Sequence, residues 1–394
     1  MTSNSPAPAV RRSLAEFIHD ELTGGVVLLF ATVVALLWAN LAPGSYEQVW
    51  STVVGPSSPL HLNLELLTWV NDALMAVFFF VVGLEIKREL VVGELARPRE
   101  AAMPVIAALG GMAVPALIYA LFNTGGVGRG GWAIPMATDI AFVLGALALL
   151  GSRVPAGLRL FLLAVAIVDD LGAIVVIAVF YSDGINLAAA AAAGGVLLGV
   201  VGMQRIGITH AAAYIAPALA LWWLVHESGV HATLAGVALG LLTPARPVNG
   251  RPLLDDLQRR LHPLSALIVV PLFALANAGI VLRIDTLRDT ASSSIAWGIV
   301  GGLVLGKTVG IACASLLARR LGIGQLPAGV GTAQLVGGAA LAGIGFTVAL
   351  FIADLSFAGT AQISEAKLAI LAASIISAAI GSIILTRTNR PRTG

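Results

Sequence analysis

Long apolar runs separated by short polar segments recur along the whole chain, and most are long enough to cross a bilayer as a helix. They run from Gly24 to Leu41, Leu66 to Ile86, Met103 to Phe122, Trp132 to Leu150, Leu160 to Phe180 and Leu187 to Val201. The second half adds Ala211 to Val225, Val230 to Leu242, Leu264 to Leu282, Ile295 to Leu317, Val330 to Ile352 and Leu368 to Leu385. The pattern predicts an all-α membrane protein of about twelve transmembrane helices, forming a single integral-membrane domain over residues 1–394. Residues 1–23 are polar, with Arg11 and Arg12 ahead of a short surface helix expected from Ser13. The run Gly24 to Leu41 is too long for the core of an export signal. The segment 42–65, with Pro43, Gly44, Pro56 and Pro59, reads as a loop with a hairpin at Val49 to Val54. The Ala/Gly-rich run Leu187 to Val201 suits close helix packing.

Composition agrees: 58% of residues are hydrophobic and 11% charged, whereas soluble domains carry roughly a quarter charged residues. A net charge of +2, with basic residues in scattered groups, gives no support for nucleic-acid binding. The one cysteine, Cys313, excludes an internal disulfide, and the histidines show no metal-ligand spacing. Of the 23 Lys and Arg residues, Arg129, Arg283, Arg288 and Lys367 fall on one side of the predicted spans and Lys307 within one. All the others fall on the opposite side, which places residues 1–23, the tail 386–394 and both termini in the cytoplasm.

The most informative run is Leu160 to Phe180, which is uncharged apart from Asp169 and Asp170 near its midpoint. A charge at mid-membrane costs at least about 2.5 kcal/mol, so two adjacent carboxylates need a partner or an aqueous cavity. A salt bridge pinning two helices is one reading, and an ion or proton site is the other, the default for charges at this depth. Asp72, Asp139 and Lys307 also lie inside apolar spans. Carboxylate, hydroxyl and carbonyl oxygens suit a small hard cation. Burial favours the protonated carboxylate, so one site can hold either protons or a cation. Lys307 is the amine available to pair with a carboxylate when the cation is absent.

Two spans carry helix breakers: Gly130, Gly131 and Pro135 before Thr138-Asp139, and Gly337-Gly338 with Gly343-Ile344-Gly345. Glycines alone fit ordinary packing of membrane helices, but beside Thr138-Asp139 they point to a discontinuous helix at a binding site. Facing half-helices would leave positive N-termini for Asp139 to neutralise and negative C-termini for Lys307.

Several segments, in order, resemble the bacterial Na⁺/H⁺ antiporter A family over nearly the whole chain. They are the stretches at Asn71-Asp72-Ala73-Leu74-Met75, Gly83-Leu84-Glu85-Ile86-Lys87-Arg88, Ala137-Thr138-Asp139-Ile140 and Ala166-Ile167-Val168-Asp169-Asp170. Ser228-Gly229-Val230-His231, Leu261-His262-Pro263, Pro271-Leu272-Phe273-Ala274-Leu275-Ala276-Asn277, Gly306-Lys307 and Gly343-Ile344-Gly345-Phe346-Thr347 continue it. The resemblance implies an inverted-repeat transporter fold, of which this family is itself an example, with two discontinuous helices crossing near mid-membrane. It implies electrogenic exchange of cytoplasmic Na⁺ or Li⁺ for external protons across a bacterial inner membrane, without a cofactor. A homodimer through the loop 42–65 belongs to the same expectation.

By the same resemblance, Asp170 is the principal ligand of the transported Na⁺, with Asp169 beside it as proton carrier and partner of Lys307. Thr138 and Asp139 match the unwound segment, with Thr138 among the cation ligands. Asp72 matches a carboxylate of the opposite funnel, and Glu85 with Arg88 an ion pair at the cytoplasmic mouth. His231 matches a histidine that influences pH dependence, although read alone it is a core histidine. One departure stands out: where relatives carry an acidic residue and a histidine before Leu261-His262-Pro263, this chain has Gln258 and Arg259. Asp255, Asp256 and His262 are the candidates to substitute in pH response. Competing readings are another proton-coupled cation transporter, a channel, for which Lys307 would have no use, and an intramembrane aspartyl protease. The last needs aspartates in Tyr-Asp and Gly-x-Gly-Asp contexts, which Asp139, Asp169 and Asp170 lack.

Overall fold

The computed structural model describes residues 8–57, 62–182, 184–249 and 251–388, with side chains described from residue 23 onward except that of Ser152. Residues 1–7 of the N-terminal segment and 389–394 of the tail therefore lie outside the described residues. Helix α1 spans Pro8–Leu41 without interruption, so the expected surface helix from Ser13 is the first part of a single long helix. Helix α2 (Pro43–Trp50) follows, and strand β1 (Val53–Val54) pairs antiparallel with β2 (Leu64–Glu65). The expected hairpin at Val49 to Val54 is thus displaced: Val49 and Trp50 remain helical, and the pairing partner lies beyond Pro56.

The chain continues through α3 (Leu66–Val91), α4 (Pro98–Phe122), a 3₁₀ helix (Val127–Met136), α5 (Ile140–Leu149) and α6 (Ala156–Phe180). Next come α7 (Leu187–Arg205), α8 (Ile215–Glu227), α9 (Thr233–Leu242), α10 (Leu253–Asn277) and α11 (Ile284–Ser292). The last are α12 (Ser294–Arg320), α13 (Thr332–Leu341), α14 (Phe346–Phe357) and α15 (Gln362–Thr388). Eight helices among the described residues are long and apolar enough to cross a membrane. The 3₁₀ helix with α5, and α13 with α14, form two further apolar pairs, bent by 44° and 48° at short breaks.

These helices are apolar on their outer faces as well as their inner ones. On α1, Leu28, Thr32, Ala35 and Ala39 form a buried stripe at helical spacing, while Phe30 and Leu37 on other faces are exposed. An exposed apolar shell of this kind belongs to a protein solvated by lipid.

Small residues set the closest approaches. In α12, Gly302, Gly306 and Gly310 recur every fourth residue and face α4. A Cβ on Gly306 would stand 2.7 Å from Pro115, and one on Gly310 would collide with the Gly110 carbonyl. This contact presses α12 onto α4 and leaves Lys307, next to Gly306, fully buried. By contrast, a Cβ on Gly194, Gly195, Gly199 or Gly202 of α7 would meet nothing within 4 Å, so these glycines set no close approach, and the packed face of this Ala/Gly-rich run is the one carrying Ala193 and Val200. Small side chains permit close approach, but a neighbouring helix has to occupy the face.

Candidate ion-binding site

Each bent pair interrupts its backbone ladder near the centre of the bundle: at Ala137–Asp139 between the 3₁₀ helix and α5, and at Ala342–Gly345 between α13 and α14. The two breaks meet. The Asp139 N–H donates to the Ile344 carbonyl at 2.6 Å, and Thr138 Oγ1 lies 2.9 Å from the Ala342 carbonyl. Such cross-satisfaction is what allows unwound backbone at this depth. The expected second interruption at Gly337-Gly338 is not one. Both residues are helical within α13, where their missing side chains make room for Leu385 of α15 and Leu158 of α6.

Asp139 serves the N-termini of two half-helices at once. Its Oδ1 accepts from the Phe142 N–H at 3.1 Å, capping α5. Its Oδ2 accepts from the Thr347 N–H at 3.0 Å and the Thr347 hydroxyl at 2.6 Å, at the start of α14. Both termini present free N–H groups and a positive dipole end, so a carboxylate is the group suited to the place.

Asp169 and Lys307 are both fully buried and form an ion pair through Asp169 Oδ2 and Lys307 Nζ. Thr138 Oγ1 lies 2.7 Å from the same carboxylate oxygen. Lys307 follows a wide π turn at Gly301–Gly306, an irregularity frequent at functional sites. Asp169 Oδ1 and Asp170 Oδ1 are buried without a hydrogen-bond partner. Asp139 is committed to two helix caps and Asp169 to Lys307, so Asp170 retains most capacity for a further ligand. It faces a cavity of about 70 Å³ lined also by Glu85, Thr138, Asp139, His262, Ser265 and Thr347.

The remaining expected residues divide between two places. At the cavity mouth, Glu85 Oε1 lies 3.9 Å from His262 Nε2. Arg88 points to Asp255 at 3.9 Å and to Gln258 Oε1 at 3.4 Å. Asp72 and His231 do not line this cavity. Asp72 sits in a π turn of α3, 3.5 Å from His226 Nδ1, and His226 stacks on Trp222. His231 Nε2 is buried and unpartnered.

Thr347, His226, Asp354 and Lys367 are not among the site residues expected from the sequence. The hydroxyl beside Gly345 signalled Thr347, and the Trp222/His226 spacing signalled a shared helix face. Asp354 and Lys367 fell just outside runs whose ends were drawn at Ile352 and Leu368, whereas α14 extends to Phe357 and α15 begins at Gln362.

The family model described as Na⁺/H⁺ antiporter 1 matches residues 15–385. A Frankia alni protein named Na⁺/H⁺ antiporter NhaA 3 is 45% identical over 416 aligned positions, covering 96% of this chain and 89% of its own length. Proteins named Na⁺/H⁺ antiporter NhaA from Shigella dysenteriae and Escherichia coli UTI89 are each 46% identical, covering 96% of this chain and 99% of theirs. A match of this extent and identity makes this chain a member of the Na⁺/H⁺ antiporter 1 family.

Proposed function

We propose that the protein is a secondary transporter that exports Na⁺ in exchange for protons, with Asp170 as the principal cation ligand. The observation that carries the residue assignment is the unpartnered, buried Asp170 Oδ1 facing a cavity next to the crossed helix breaks. Thr138 and Asp169 complete the oxygen set once Asp169 leaves Lys307. With Na⁺ absent, Lys307 supplies the positive charge that a buried carboxylate requires. A proton on Asp170 and a cation beside it exclude each other. Asp170 gives up one proton to the incoming Na⁺, and Lys307 gives up the second as Asp169 turns from it to the cation, so two protons per Na⁺ make the exchange electrogenic.

In this reading the 3₁₀–α5 and α13–α14 pairs each act as one discontinuous span. With α8 and α9 they complete about twelve crossings arranged as an inverted repeat. The excess of basic residues at the Arg88 end favours a cytoplasmic position for that face and for both termini. The membrane is then a bacterial inner membrane, and the site is open towards the cytoplasm through the Glu85–His262 mouth. Phe79, Phe273 and Phe351 pack together on the other side. Asp72 belongs to the outer route, and His231 and His262 to the pH response. Li⁺, with the same hard-ligand preference, is an alternative cargo. The exposed two-stranded sheet offers unpaired edges through which a second copy can join. Family membership and the pairing of Asp169 with Lys307, rather than with a second carboxylate, favour transport over aspartyl proteolysis.

The test is Na⁺-induced collapse of a preformed ΔpH in everted vesicles. The native protein should collapse it. Asp170→Asn, inserted at native levels, should not. Substantial Na⁺-dependent proton movement by the variant would remove Asp170 from the site.

A further inference from the structure

Beyond the cavity, four polar side chains from four helices form a directional chain. Lys367 Nζ on α15 lies 3.4 Å from Asn277 Oδ1 on α10. Asn277 Nδ2 donates to Asn71 Oδ1 on α3 at 2.7 Å, and Asn71 Nδ2 donates to Asp354 Oδ2 on α14 at 2.8 Å. In the shortest contacts each amide accepts on the lysine side and donates on the aspartate side, and the reverse contact, Asn71 Nδ2 to Asn277 Oδ1, is longer at 3.5 Å. The result is an ion pair bridged by two buried amides, and such aligned chains reinforce one another.

Its place on α14 gives it a consequence for the ion site. Asp354 is seven residues after Thr347, which is two helical turns along the same face. Phe351 lies between them and packs against Phe79 of α3 and Phe273 of α10. Helix α14 begins at a break, so no preceding helical turn holds its start. Its site end is fixed through Asp139, and its far end by this relay.

We propose that Asp354 is a positioning residue. Through Asn71, Asn277 and Lys367 it sets the axial placement of α14 and so holds Thr347 on Asp139. The inference rests on the assignment of the ion site given above. It requires that loosening the relay weaken Na⁺ binding at a distance.

The experiment measures half-saturating Na⁺ and maximal exchange rate in proteoliposomes, together with thermal unfolding. Asp354→Ala should raise half-saturating Na⁺ roughly tenfold and leave the maximal rate within about threefold, the signature of lost binding rather than lost turnover. Asp354→Asn retains an acceptor oxygen for Asn71 and should stay within about threefold of native half-saturation. Thr347→Val should weaken binding comparably to Asp354→Ala. Because both act through one contact, the double variant should be no weaker than the worse single. Multiplying effects would overturn the proposal, as would a lower unfolding temperature with unchanged half-saturation. If Asp354→Ala fails to accumulate in membranes, Lys367→Met cuts the relay from the other end and should give the same shift. Asp170→Asn separates the two levels. An exchanging Asp170→Asn variant refutes the site itself, whereas a silent one beside a native-like Asp354→Ala refutes only the positioning role.

Discussion

Replacing Lys307 by Met removes one partner of an ion pair whose side chains are both fully buried. The hydrocarbon stem is largely kept, so the loss falls on charge rather than packing. Asp169 then has Thr138 as its remaining polar neighbour, and its Oδ1 is already unpartnered. Breaking a buried pair in this way costs about 3–5 kcal/mol, because an uncompensated charge stays in low dielectric. The double variant Asp169→Asn/Lys307→Met leaves no such charge and should recover most of that loss. Protonating Asp169 has the same effect. The deficit of Lys307→Met should therefore be largest at alkaline pH and shrink as pH falls. Thermal unfolding in detergent of the native protein, the single and the double variants, at about pH 5 and pH 8.5, reads both effects. A single variant as stable as native at the higher pH, or a double variant less stable than the single, would refute the reasoning.

Asp139→Ala should destabilise by about 1–2 kcal/mol for each of the two helix N-termini it caps, and should raise half-saturating Na⁺, as unfolding and transport assays will show. Activity should rise with alkalinity over a broader range than an acidic–histidine pair at the mouth would give, since Gln258 and Arg259 occupy those two positions. A rate-against-pH profile steeper than two competing protons allow would contradict this.

The spans and the paired aspartates were legible because lipid forces long apolar runs and makes any interior charge conspicuous. The break at Thr138-Asp139 was legible for the same reason: glycine, proline and a carboxylate share one apolar run. Gly337-Gly338 misled, because glycine interrupts a helix only where something else satisfies the backbone. That something was the Asp139–Ile344 contact between distant segments. The packing of Gly306 and Gly310, and the emptiness around Gly194 and Gly199, depend on which helix faces them. Asp354 and Lys367 were missed because hydropathy trims a span at its first charge. The buried amides of Asn71 and Asn277 were the available clue, since each must find partners inside the bundle.

Competition between Na⁺ and protons for one buried carboxylate site makes cation affinity depend on pH. It is tested most directly by the apparent Na⁺ affinity of the native protein across about pH 6 to 9. Half-saturating Na⁺ should fall as pH rises, roughly tenfold per pH unit for each competing proton, with little change in maximal rate. A half-saturating concentration independent of pH, with only the maximal rate changing, would mean a separate gate and contradict the account.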